Sequence, residues 1–455
     1  MRPLTIAWLL LASCSTDVQD PLAPAGLVPG TPNLLVITLD TTRADHLGCY
    51  GYFRDTSPNL DALAAESLLF ERCIVPMATT LPTHVSLFTG TYPHEHGVIA
   101  NLLKDVVYER DPRLVTVAEY LRDVGYTTAA FVSALPLRAE AGLVDGFEVY
   151  SYTRSHLRRA SDTLDTTRAW LGKRAKPPFF LWVHLFDPHG PYDPPEEAQG
   201  RFDTDADLRE WMAAREVIKE AERKGGKAID IEDALNAYDA EIAYMDAQLG
   251  LFFDDLRERG LWEDLVIVVM GDHGEGLGQH GLPGHGRAYD EQLHAPLMIK
   301  APGLAPGRYS DPVSAVDVLP SLLHLLELPG KTEFLVQTTG VNRFAATGGA
   351  ELKWIMSQSS PRQADGGKLE YALSAERWKY LRSADGQESL FDLAADPYEL
   401  VDVAAEHPEV LGECRERLNS RLARQLARQG GSQRQATGEE LRGLEGLGYG
   451  GDDED

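Results

Sequence analysis

Three apolar runs, each ending in a residue able to do chemistry, constrain this chain most. Asn33–Leu39 (NLLVITL) runs into Asp40, Phe179–Phe186 leads to Asp187 and His189, and Leu265–Met270 leads to Asp272. Runs of this length without polar alternation fit strands buried on both faces. Helix-period segments fall between them, which predicts a mostly parallel sheet covered by helices on both sides. Ligands of such sheets sit beyond the carboxyl ends of the strands. Asp40, His189 and Asp272 are therefore expected to converge on one edge.

The intervening segments carry their own signals. Apolar residues at 231, 235, 238, 242, 245, 249, 252 and 256 predict one long amphipathic helix, stopped by Gly260. Ser57-Pro58 and the capping box Thr116–Glu119 open two more helices. Residues 196–230 are polar and read as a surface insertion or lid. Tyr371–Arg382 and the following DGQESLFDL suggest a small antiparallel sheet, packed with a final helix near 408–427. The acidic end, within 431–455, reads as a disordered tail.

Residues 77–90, MATTLPTHVSLFTG, place Leu81, Val85 and Phe88 at helical spacing, with Pro82 in the first turn and Gly90 as the stop. Thr80 stands at the mouth of this helix, where backbone N–H groups favour an anion. Alone it reads better as a plain helix cap, worth about 1 kcal/mol. Its neighbours extend the reading. TLPTHVSLFTG resembles the sulfatase signature C-x-P-S-R-x-x-L-x-T-G, with Thr80 in the place of the modifiable Cys or Ser. NLLVITLDTTRADHLGCYGY is similar to the sulfatase opening strand and first metal aspartate, here Asp40. VVMGDHGEGLGQHG resembles the later metal motif and supplies Asp272 and His273.

This resemblance, from about Pro32 to about Glu406, implies the sulfatase branch of the alkaline phosphatase superfamily. The implied fold is α/β, a mostly parallel sheet flanked by helices over 33–330, with a C-terminal subdomain of antiparallel sheet plus helix over 331–430. It implies a metal set of Asp40, Thr80, Asp272 and His273. His189 and His285 become candidates for substrate-oxygen contact, acid catalysis or a second zinc. His84, Arg43 and His280 are candidates for substrate binding. Arg43 reads equally as a loop-to-helix salt bridge, and His280 could be either ligand or structure. His184, on an apolar strand, reads as a satisfied core histidine.

The departures from the family pattern matter as much. Thr80 carries a methyl on its β-carbon and resembles neither formylglycine precursor, so no formylglycine is expected. His84 stands for the signature Arg, Thr41 for a second aspartate, and AAFVSALPL for the stretch holding the sulfate-clamping Lys. A threonine nucleophile with fewer cations suits phosphate mono- and diesters, because water can release a phosphothreonine. The alternatives are a sulfatase working without formylglycine, or a non-catalytic homologue binding an anionic glycan or lipid headgroup. The ligand set tilts from calcium toward zinc or manganese, since it gains an imidazole and loses a carboxylate.

The excess of 70 acidic over 43 basic residues argues against a nucleic-acid partner. A small anionic ester, glycan or lipid headgroup is the expected substrate. At the start, MRPLTIAWLLLASC has an apolar run too short to span a bilayer but suited to a signal peptide over 1–13. Leu-Ala-Ser-Cys resembles a lipobox, implying lipidation of Cys14, a tether over 14–32, and a lipoprotein anchored on the periplasmic or cell-surface side of the membrane. The bland alternative is an ordinary cleaved signal. Cys49, Cys73 and Cys414 then remain, allowing at most one bridge within the chain.

Overall fold

The computed structural model describes residues 31–442 apart from 104–105, 154–157, 224–226, 327, 329, 345–353, 362–366, 426–431 and 439. The expectations for the signal peptide, for Cys14 and for nearly all of the tether thus lie outside the described residues.

Among the described residues a nine-stranded sheet organises the chain. Its order runs Gly307–Tyr309, Leu68–Ile74, His294–Lys300, Leu265–Gly271, Asn33–Leu39, Phe179–Leu185, Thr127–Val132, Val149–Ser151, with Val313–Ser314 also on Leu68–Ile74. Asn33–Leu39 is central and parallel to both neighbours, with Leu39 beside Gly271 and Thr38 beside His184. His294–Lys300 is the antiparallel exception. Leu34 and Val36 enter the apolar core on one face, and Leu35, Ile37 and Leu39 enter the core on the other. That two-sided burial explains why these strands read as continuous apolar runs.

The long helix spans Ile231–Glu258, and all eight apolar positions of its predicted stripe are fully buried. Gly260 takes the left-handed conformation just beyond it, as a stop residue should. The Thr80–Thr89 helix is instead buried all round, and Gly90 ends it at φ 67°. Its N-cap is Thr79, so Thr80 is the first helical residue and not the cap that the sequence allowed.

A four-stranded antiparallel sheet follows: Ile355–Gln358, Tyr371–Ser374, Trp378–Arg382 and Glu388–Asp392. Leu373 and Tyr380 from this sheet pack with Cys414 and Leu418 of the Pro408–Gln425 helix. The edge strand Ile355–Gln358 was not expected. It joins the sheet to the chain before Thr80: the Gln358 N–H donates to the Pro76 carbonyl, and Ser360 Oγ contacts Thr79 Oγ1. The 431–455 tail needs a correction as well, because Ser432–Gln435 pairs antiparallel with Val106–Glu109. Residues 196–230 contain a helix, Ala206–Ala214, and a short hairpin, Glu220–Arg223 with Lys227–Asp230. Cys49, Cys73 and Cys414 are free thiols. No described helix is long and apolar enough to cross a membrane.

Candidate active site

Asp40 and Asp272 leave the carboxyl ends of adjacent parallel strands, and backbone bonds fix both. The Asp40 N–H donates to Leu185 O at 2.9 Å, and the Asp272 N–H donates to Leu39 O at 3.1 Å. Thr41 is held at φ 47°, an uncommon state for a β-branched residue. That bend turns the Thr41 N–H onto Asp272 Oδ1 (3.1 Å), while its hydroxyl donates to Pro188 O (2.9 Å). Thr41 thus buttresses the loops and offers no ligand. After Asp272 the chain runs so close to Glu291 that a Cβ on Gly274 would sit 2.1 Å from the Glu291 carbonyl.

The predicted metal residues do meet. His273 Nε2 lies 3.9 Å from Asp40 Oδ1, 3.7 Å from Asp272 Oδ2 and 3.5 Å from Thr80 Oγ1. All four residues are fully buried. Among the described residues, both carboxylate oxygens of Asp40, and Oδ2 of Asp272, find no hydrogen-bond donor. Burial raises both carboxyl groups well above their ordinary range, and the charge of Asp40 raises Asp272 further. Orphaned buried carboxylates are costly and call for a partner. Asp40, Asp272 and His273 present ligand atoms within 4.8 Å of one another, a spacing and donor set that fit one divalent cation.

Three histidines share one arrangement. His273 Nδ1 donates to Gly274 O (2.9 Å), His285 Nδ1 to Ala78 O (3.1 Å) and His189 Nδ1 to Gly190 O (2.6 Å). Each carbonyl fixes its ring's proton on Nδ1, which directs Nε2 inward as the acceptor nitrogen. The Nε2 atoms of His285 and His189 are 3.4 Å apart, and the His285 ring centroid is 4.3 Å from that of His273. Burial pushes His285 down to about 4 and lowers His273 well below its ordinary value.

Four further residues surround this cluster, and one of them departs from expectation. His184, read as a satisfied core residue, has no hydrogen-bond partner on either nitrogen among the described residues, and its Nε2 lies 3.2 Å from Asp40 Oδ2. Its place as the last residue but one of Phe179–Leu185 was the available signal. Arg43, left open between substrate contact and salt bridge, has its guanidinium engaged by Asp45, Gln279 Oε1 and the Glu275 carbonyl. His280, left open between ligand and structure, lies between Glu291 Oε1 and Glu399 O at 3.2 Å each and stacks on Tyr289. His84 has Nδ1 on Thr80 O (2.7 Å) and Nε2 on Thr38 Oγ1 (2.9 Å), and it lies within 4.8 Å of ligand atoms of His184 and Asp272.

The sequence matches the sulfatase family model over residues 32–328, nearly two thirds of the chain. A choline-sulfatase of Rhizobium meliloti (strain 1021) is 25% identical over 448 residues, covering 83% of each chain. An arylsulfatase of Clostridium perfringens (strain 13 / Type A) is 24% identical over 455 residues, covering 82% of this chain and 90% of the other. Among solved structures, a phosphonate monoester hydrolase of Agrobacterium radiobacter superposes with a TM-score of 0.70 at 23% identity, covering 89% and 99% of the two chains. The chain belongs to the sulfatase family, in the alkaline phosphatase superfamily, and is an ester hydrolase.

Proposed function

We propose that this hydrolase cleaves anionic esters, phosphate mono- and diesters above sulfates, through covalent attack by Thr80. The observation that carries the reading is Thr80 Oγ1 at 3.5 Å from His273 Nε2, beside carboxylate oxygens of Asp40 and Asp272 that lack donors. Asp40, Asp272, His273 and Thr80 would hold a divalent cation, zinc or manganese before calcium. Such an ion lowers the pKa of a hydroxyl and polarises an ester oxygen. Thr80 loses its proton to solvent, its Oγ1 bonds to phosphorus, and the ester's leaving oxygen departs. His189 and His285, with Nε2 atoms 3.4 Å apart, are placed to hand that oxygen a proton once a bound anion offsets the burial acting on His285. Water then attacks phosphorus and the P–Oγ1 bond breaks.

The test is a panel of aryl phosphate, phosphonate, phosphodiester and sulfate substrates, with metal analysis of protein purified without chelator. Turnover of phosphorus esters, lost in Thr80→Ala, is expected. Turnover of sulfate alone, retained in Thr80→Ala, would overturn the assignment; sulfate alone with loss in the variant would favour a sulfatase lacking formylglycine. Metal-free protein with full activity would remove the cation from the reading.

A small soluble ester, a glycan and a lipid headgroup all carry the required chemistry. Export as a lipoprotein anchored through Cys14 belongs to the same proposal. Mass analysis of the mature N-terminus checks it: a diacylglyceryl group on Cys14 is expected, and an unmodified peptide cleaved elsewhere would refute it.

A further inference from the structure

We propose that Glu241 and Arg159 are positioning residues for the leaving-group proton: together they clamp the far end of the loop that carries His189. This rests on the acid role given to His189 above and names what holds its ring in place.

Between Asp187 and Asp193 the chain forms no helix or strand, so side chains from other elements hold it. The near end is fixed twice. Asp187 Oδ1 accepts from the Ala160 N–H at 3.1 Å, and the Pro188 carbonyl accepts from the Thr41 hydroxyl at 2.9 Å. The far end depends on two residues distant in sequence. Glu241 Oε1 accepts from the Asp193 N–H at 3.1 Å and from Arg159 Nη1, also at 3.1 Å. Arg159 donates in turn to the Asp193 carbonyl. The backbone donor and the backbone acceptor of Asp193 are thus both taken by this pair. Because Arg159 directly precedes Ala160, the start of the Ala160–Lys173 helix grips both ends of the loop. His189 lies between the two grips, its ring stacked on Phe186 with centroids 4.3 Å apart.

Glu241 is fully buried on the Ile231–Glu258 helix, and burial pushes its carboxyl up to about 8 against the donors that hold it. A buried carboxyl is costly where an apolar side chain would serve packing alone. What the carboxyl supplies here is an acceptor for the loop backbone. Asp246, buried on the same helix, serves the start of the Pro58–Ala65 helix instead, accepting from the Asn59 and Leu60 N–H groups. It is a matched control. Proton transfer works only within hydrogen-bond reach, and a displacement of about 1 Å can cost about 10²-fold in rate. Freeing Asp193 would let His189 Nε2 drift from its place 3.4 Å from His285 Nε2.

The experiment compares kcat/KM for methyl p-nitrophenyl phosphate with that for methyl phenyl phosphate, whose leaving oxygen needs a proton far more. His189→Gln sets the scale and should shift the ratio against the phenyl ester by about 10²-fold. Glu241→Ala and Arg159→Met should each shift it the same way by at least about tenfold. Glu241→Gln, which keeps an acceptor oxygen, should stay near the wild-type ratio, as should Asp246→Asn. Arg159 is part-exposed, so Arg159→Met carries the test if Glu241→Ala does not fold. A wild-type ratio in the folded clamp variants, beside a shifted His189→Gln, would overturn the inference. So would an equal shift in Glu241→Gln or Asp246→Asn. An unshifted ratio in His189→Gln would instead overturn the acid role on which the inference rests.

Discussion

Two buried clusters of charge lie on either side of the loop that follows Asp272, and they are resolved in opposite ways. At the junction with the C-terminal sheet, fully buried Lys379 meets Asp290, and its Nζ is 3.0 Å from Glu399 Oε1. Arg72 meets Asp290 from the other side at 2.8 Å. Burial alone would raise Asp290, but Lys379 and Arg72 outweigh it and hold the carboxyl below its ordinary range. At the edge of the parallel sheet, Asp40 and Asp272 face one another, burial raises both carboxyl groups, and the leading influences against it are backbone N–H groups rather than cations. The first cluster neutralises itself and is architecture. The second leaves oxygens without donors and is a place for a ligand.

The contrast predicts opposite responses to the same change. Asp40→Asn and Asp272→Asn should each reduce activity by about 10³-fold or more, yet leave chelated protein as stable as wild type or more so, because a like-charge contact is relieved. Asp290→Asn should cost about 3–5 kcal/mol, because it strips a buried ammonium of one of its counterions. Denaturant titrations of chelated proteins beside steady-state rates check both. Equal destabilisation by Asp40→Asn and Asp290→Asn would erase the distinction.

A smaller effect sharpens the architectural side. Burial works against charge on His280, but its bond to Glu291 and the charges of Glu291 and Glu399 prevail and raise its pKa above 6.5. A raised folded value gives a contribution that is full below pH 6.5 and is lost as pH climbs through the folded pKa. Wild type should therefore lose more stability than His280→Gln between pH 6 and alkaline pH. Parallel pH profiles in thermal melts would contradict this.

What was legible in the sequence follows the same division. Asp40 and Asp272 were readable from the ends of apolar strands, whereas His273 and Thr80 came from resemblance to the sulfatase motifs, since Thr80 alone reads as a helix cap. His184 was misread because an apolar strand shows which residues are buried but not what they face. Arg43 and His280 stayed open between ligand and structure because partners of theirs lie far along the chain: Gln279 for Arg43, and Glu399 for His280. The strand Ile355–Gln358 was missed because four residues carry little pattern of their own. Its order comes from pairing with Tyr371–Ser374. Ser432–Gln435 is polar throughout and takes its structure from Val106–Glu109, so composition alone suggested a tail.

The most direct measurement is the mass of the peptide carrying Thr80 after acid quench of the enzyme during turnover of a slow phosphodiester. The account predicts added phosphoryl ester mass on Thr80, absent in Thr80→Ala. Burst turnover with the peptide unmodified, or with the mass on another residue, would contradict it.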